Sequence, residues 1–216
     1  HRHTKEGLVR MCACRGTAGF AHVSCLAEEA KILVAEAWEN NLDSKAFDKR
    51  WRRWDTCSLC EQMYHGVVRC AMGWACWKTY VGRPETDWPR RMAMTELGNG
   101  LHYAELNEDA LSVREAELSM LRRLDASEED MLAVFSNLAD TCRSLGNLEK
   151  ALRMERDIYS GYVTLYGEED EGTLYAANNY ATSLCDQERF EEAKALMRKT
   201  IPVAQRVLGE GHKVTL

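Results

Sequence analysis

Three close pairs of soft-metal ligands stand in the first third of the chain: Cys12 with Cys14, His22 with Cys25, and Cys57 with Cys60. Thiolates and imidazole nitrogens bind Zn2+ in a tetrahedron, and structural zinc sites draw their ligands from such pairs. One C-x-x-C alone is weak evidence. Three pairs within 49 residues, one of them the mixed H-x-x-C, point to zinc. Other chemistry competes poorly. A Cys12 or Cys14 nucleophile with His22 as its base uses the same atoms that metal ligation needs. A redox role for Cys57-x-x-Cys60 lacks the strand–helix setting of thioredoxin-like motifs. Cys70 and Cys76 read as small buried thiols. His65, His102 and His212 have no ligand partners at suitable spacing.

The order C-x-C, seven residues, H-x2-C, a spacer and C-x2-C resembles the RING-CH (RING-variant) zinc finger of one class of ubiquitin ligases. That family opens with a further C-x2-C, which does not precede Cys12. The chain starts at His1 without an initiator Met, so the module is read as N-terminally incomplete. In the family's cross-brace the third and fourth ligands share a zinc with the seventh and eighth. The resemblance therefore implies one complete site at Cys12, Cys14, Cys57 and Cys60. His22 and Cys25 would form half of a second, which His1 and His3 could close only at a spacing foreign to the family. RING-type ligases carry no catalytic nucleophile; they dock a ubiquitin-conjugating enzyme. The family's Trp beyond H-x2-C is replaced here by Leu26-Ala27-Glu28-Glu29, and its basic residue after the last Cys by Glu61. Leu26 alone is kept.

The elements that must hold these ligands are helical. The 216 residues are 45% hydrophobic with only three prolines, which suits a mainly α protein with a real core. Leu26, Ala30, Leu33, Val34 and Trp38 recur at helical spacing, so a helix is expected from Ala27 to about Asn40. Asn41 to Lys45 reads as its end, and the 31-residue spacer from Cys25 to Cys57 as this elongated helix plus a loop. Trp51 and Trp54 are expected to pack over the metal site. Residues 12–25 read as metal-holding loops, with Gly16 and Gly19 suited to wrapping an ion. A further helix is expected over Glu61 to Tyr80. Gly82-Arg83-Pro84 ends it, Pro89 suits a new start, and the boundary between domains is placed at 82–89.

The second half repeats. Leu97-Gly98, Leu138-Ala139 and Tyr180-Ala181 align at offsets of 41 and 42 residues. Each small residue is followed by an alanine twelve positions on (Ala110, Ala151, Ala193), and each repeat has an apolar residue or Cys at Leu101, Cys142 or Leu184. Small residues where helices cross, at a fixed period, are features of tetratricopeptide helix hairpins. The longer period and the segments Leu165-Tyr166-Gly167 and Val207-Leu208-Gly209, the latter leading to His212 and Thr215-Leu216, resemble kinesin-light-chain-type tetratricopeptide repeats. The resemblance implies stacked hairpins with a concave groove lined by the first helices, where Ser136, Asp140 and Arg143, then Tyr175, Asn178 and Thr182, face a peptide client. Asn178 is the leading candidate, since an amide can pair with peptide backbone as donor and acceptor. The last residues read as the opening of a further repeat, expected to be truncated.

The net charge of −6 is uneven: residues 1–91 carry +4 and residues 92–216 carry −10. The positive charge is scattered and is not interleaved with aromatic residues, which argues against nucleic-acid binding. Nine cysteines in metal-like pairs suit a reducing compartment, hence an intracellular, cytoplasmic protein. No apolar run is long enough to span a membrane, and there is no Gly-rich phosphate loop. The expected architecture is a small RING-CH-like zinc module with its following helix (residues 1–81) and an α-solenoid of about three repeats (residues 90–216). The expected function is protein–protein interaction, with a client in the groove and a second protein on the zinc module. The alternative is a RING-CH-type ubiquitin ligase acting on the held client.

Overall fold

The computed structural model describes residues 5–10, 12–14, 20–212 and 214–215. Gly16, Gly19, His1 and His3 lie outside the described residues. Among those described there are nine α-helices, one 3-10 turn and no strands, with isolated antiparallel bridges at Val9–Ala21 and Thr56–Met63. By compactness the chain divides into residues 1–120 and 121–216.

The first unit holds α1 (Val23–Glu39), α2 (Ser44–Trp51) with a 3-10 turn at Arg52–Trp54, α3 (Gly66–Tyr80) and α4 (Trp88–Tyr103). It also holds most of α5 (Asn107–Arg123). α1 starts earlier than its periodicity suggests because the Glu6 carboxylate accepts the Ser24 backbone N–H at 3.2 Å, satisfying a first-turn donor. α1 ends near Asn40 as expected, but the expected loop beyond it holds a second helix. Asn41 adopts a left-handed φ of 49°, and the Asp43 side chain caps a second helix by accepting the Ala46 N–H at 2.8 Å. α3 begins at Gly66 rather than Glu61 because residues 61–64 turn back on residues 55–57. The Cys57 N–H donates to the Gln62 carbonyl at 2.9 Å and the Tyr64 N–H to the Asp55 carbonyl at 2.7 Å. Pro89 sits in the first turn of α4, as expected.

α3 and α4 meet backbone to backbone. A Cβ on Gly73 would lie 2.7 Å from the Glu96 carbonyl oxygen, and one on Gly100 would lie 2.8 Å from that of Arg69. The buried Arg69 guanidinium adds an ion pair to Glu96 at 3.0 Å and another to Asp55 at 3.6 Å. The boundary placed at 82–89 thus falls inside the first compact unit. The break in helical period there marks a turn between two tightly packed helices, and the compact division comes after Met120. Around α1–α4 the core gathers Trp51, Trp54, Tyr80, Val68 and Met72, together with Cys14 and Cys57.

The second unit stacks α6 (Glu128–Ser144), α7 (Leu148–Tyr166), α8 (Glu171–Asp186) and α9 (Phe190–Leu208), each packed on the next. Ser127 and Asp170 cap α6 and α8 by accepting the N–H of Asp130 and Thr173. Gly167 and Gly209 end α7 and α9 with φ of 84° and 88°, a region that favours glycine. The repeat register holds in three dimensions. Ala139, Cys142, Ala151, Ala181, Leu184 and Ala193 are all buried, as are Leu101 and Ala110 in the first unit.

Candidate metal centre and repeat groove

Two short backbone loops carry the four central thiols. Val9 and Ala21 exchange both backbone hydrogen bonds, at 2.8 and 3.0 Å, and Cys12 and Cys14 lie on the loop they close. The Thr56–Met63 bridge closes a second loop with Cys57 and Cys60, in which Glu61 takes a left-handed φ of 56°. The Leu59 N–H donates to Cys57 Sγ at 3.5 Å, so the backbone already presents a donor to this sulfur. All four sulfurs lie within 4.8 Å of one another, and Cys14 Sγ is 3.8 Å from Cys57 Sγ. A tetrahedral site with Zn–S of about 2.3 Å has S–S edges of about 3.8 Å. The donor set and its spacing therefore fit a metal ion.

The electrostatics agree. Burial pushes the Cys14 thiol up to about 12, and burial likewise raises Cys12. The backbone N–H of Gln62 draws Cys60 down to about 7. Thiols crowded in a partly dry site resist joint ionisation, and a divalent cation among them would favour the thiolate at each. Trp51 and Trp54 are buried in the same core cluster as Cys14 and Cys57, with their rings against Tyr80.

His22 and Cys25 come together with each other, Nδ1 to Sγ 3.6 Å, but not with the quartet. Among the described residues no third ligand groups with them. Cys76 is buried in the core, and Cys70 packs beside Leu97 and Leu101.

The six groove candidates lie on α6 and α8 and differ in what they leave available. The Ser136 hydroxyl donates to the Leu132 carbonyl at 3.1 Å and that of Thr182 to the Asn178 carbonyl at 2.9 Å. Arg143 pairs with Asp140 and lies 4.0 Å from Asp186. Tyr175 packs edge-on against His212, with its hydroxyl 3.4 Å from Nε2. Asn178 is half-buried, and its side-chain amide makes no hydrogen bond among the described residues. Beneath Asp140 and Arg143, Glu155 on α7 is only 1% exposed, and neither carboxylate oxygen has a hydrogen-bond partner. Burial, reinforced by Asp140 and opposed by Arg143, holds it up to about 7.

The sequence reading missed Arg69, Glu96 and Glu155. Each is a charged residue at a position whose helical period calls for an apolar one. That is the signal that could have found them, since charges are rarely buried without a reason.

Residues 173–212 match the tetratricopeptide repeat family model. No curated protein matches the chain. Among solved structures, BtubC (BKLC) from P. vanneervenii is similar at a TM-score of 0.52 and 13% identity, over 89% of this chain and 59% of that one. A Podosopora anserina protein assigned as a kinesin light chain with nearly identical TPR-like repeats is similar at a TM-score of 0.55 and 15% identity. It aligns over 90% of this chain and 82% of its own length. A single-substitution form of that protein aligns at a TM-score of 0.55 and 13% identity, over 86% of this chain and 88% of that one. At these identities the likeness is one of fold: a helical tetratricopeptide solenoid. The chain spans less than two thirds of BtubC. Among the described residues no helix is long and apolar enough to cross a membrane.

Proposed function

We propose that this chain is a zinc-stapled protein-interaction protein, with a peptide or protein client in the repeat groove and a second protein docked on the zinc module. The observation that carries the metal half is the convergence of four thiols from two loops, with the 3.8 Å Cys14–Cys57 separation of a tetrahedral edge. Zinc is the ion favoured by an all-sulfur tetrahedral set. For the groove, the support is the repeat match and the unengaged amide of Asn178. All nine cysteines are free, which suits an intracellular, reducing setting.

The sharper reading, a RING-CH-type ubiquitin ligase, draws support from two apolar side chains beside the second loop. Leu59 is 69% and Val67 71% exposed, as a docking surface for a conjugating enzyme would require. It would need no nucleophile of its own. Ubiquitin discharge from a panel of charged conjugating enzymes tests it; no acceleration by the zinc-loaded chain would sink the ligase reading and leave the scaffold.

The deciding experiment for the main reading is elemental analysis with thiol counting on the purified chain. About one zinc per chain is expected. Two would mean that His22 and Cys25 find partners. None, with every thiol reactive, would leave a plain peptide-binding solenoid.

A further inference from the structure

α2 is the boundary between two unlike hollows. On one flank Trp38, Phe47, Trp88 and Leu42 line a cavity of about 500 Å³. Its aromatic rings are set edge to face: Trp38 to Phe47 at 5.5 Å and 74°, Phe47 to Trp88 at 5.2 Å and 77°. On the other flank Lys45, Lys49, Arg52 and Arg53 line a cavity of about 420 Å³. Asp48 borders both. The helical period explains the division. Ser44, Phe47 and Trp51 share one stripe, Lys45, Lys49 and Arg52 share the next, and Asp48 falls between.

The basic flank is unspent. None of its four cations is in an ion pair among the described residues, although exposed cations elsewhere in the chain find carboxylates, as Lys199 does Glu168 and Arg206 does Glu169. Arg53 Nη1 is also buried without a hydrogen-bond partner. Four cations against Asp48 and Glu61 leave this wall positive, while the neighbouring cavity is apolar and large enough for one big side chain.

We propose that the two cavities of α2 form one docking surface for an acidic peptide segment bearing a large apolar anchor: the anchor enters the aromatic cavity and the flanking carboxylates face the basic one. A bare polyanion would leave the aromatic cavity unused, and an organic cation would meet the four neighbouring charges. This rests on the reading of the first unit as a docking module but uses none of the thiols.

The test is fluorescence anisotropy on the full zinc-loaded chain with a labelled heptapeptide of six glutamates around one phenylalanine. The comparison probes are the same peptide with alanine at the centre and a twelve-nucleotide oligo-dT. Binding should weaken at least tenfold on replacing phenylalanine by alanine. It should weaken as much with Lys49→Glu/Arg52→Glu, and separately with Leu42→Asp, all at exposed positions, while zinc content and helicity stay unchanged. Equal binding of both peptides, tighter binding of the oligonucleotide, or indifference to both variants would overturn the proposal. Loss of zinc with binding retained would instead count against the metal reading.

Discussion

The carbonyl oxygen of Glu96 stands 2.7 Å from where Gly73 would carry a Cβ, closer than a Cβ comes to a backbone oxygen. Because the obstacle is main chain, it cannot swing aside. Gly73→Ala gains helix propensity of about 1 kcal/mol but forces α3 and α4 apart, an overpacking cost of about 1–3 kcal/mol or more. Gly82→Ala, where nothing lies within 4 Å, carries no such clash. Urea denaturation should show Gly73→Ala destabilised and Gly82→Ala not; equal midpoints would contradict the close crossing.

Arg69 neutralises two carboxylates in a buried setting. Glu96 is raised by its burial and drawn back by Arg69. Removing the cation alone, as Arg69→Met, should cost about 3–5 kcal/mol because a buried charge is left uncompensated. Adding Glu96→Leu should recover part of that loss. A double variant no more stable than Arg69→Met would mean that the pair is not coupled.

Glu155 gives the second unit a pH dependence. Its folded value, about 7, lies above the ordinary 4.5, so the native state keeps a proton that the unfolded chain has released. Stability from this group is full below about pH 4.5 and is lost as pH rises through 7. Glu155→Gln should therefore gain on the parent by about 3 kcal/mol between pH 4.5 and 8. A pH-independent difference between the two would show that Glu155 is solvated.

Cys57→Ser removes one corner of the thiol tetrahedron. We expect loss of the metal and of the folding free energy tied to it, on the order of 10 kcal/mol in finger-sized units. The first unit should melt while α6–α9 stay helical. A chelator should do the same to the parent. Full metal content with an unchanged melting profile would refute the site.

Asn178→Ala should leave the melting temperature nearly unchanged, within about 0.5 kcal/mol, because its amide has no partner to lose. Peptides selected on the parent groove should bind the variant at least tenfold more weakly. Tyr175→Ala should do the reverse in part, lowering stability through its contact with His212.

Much of this was legible in residue order. The clustering of four thiols could be read because paired cysteines advertise themselves locally, and the repeats because small residues recur at helix crossings. What sequence hid was governed by backbone path. A capping Asp43 starts a second helix where a loop is expected. The returning segment at 61–64 delayed α3. The intimacy of α3 and α4 rests on Gly73 and Gly100, and glycines in a helical pattern read as weaknesses until the neighbour is known. Arg69, Glu96 and Glu155 interrupt apolar stripes, which marks them as buried charges, but the partner each one meets is set by the packing of other helices.

The separation of 43 positions between Cys14 and Cys57 has a consequence in time. The second unit is built from contacts between successive helices, so it can assemble by short steps that nucleate anywhere along the array. The thiol cluster instead requires a long segment to close on itself before any reward is gained. The chain thus contains a fast, local folder and a slow, non-local one. If the proposed metal binds there, the pace of the slow half should follow the supply of that metal rather than the strength of its helices.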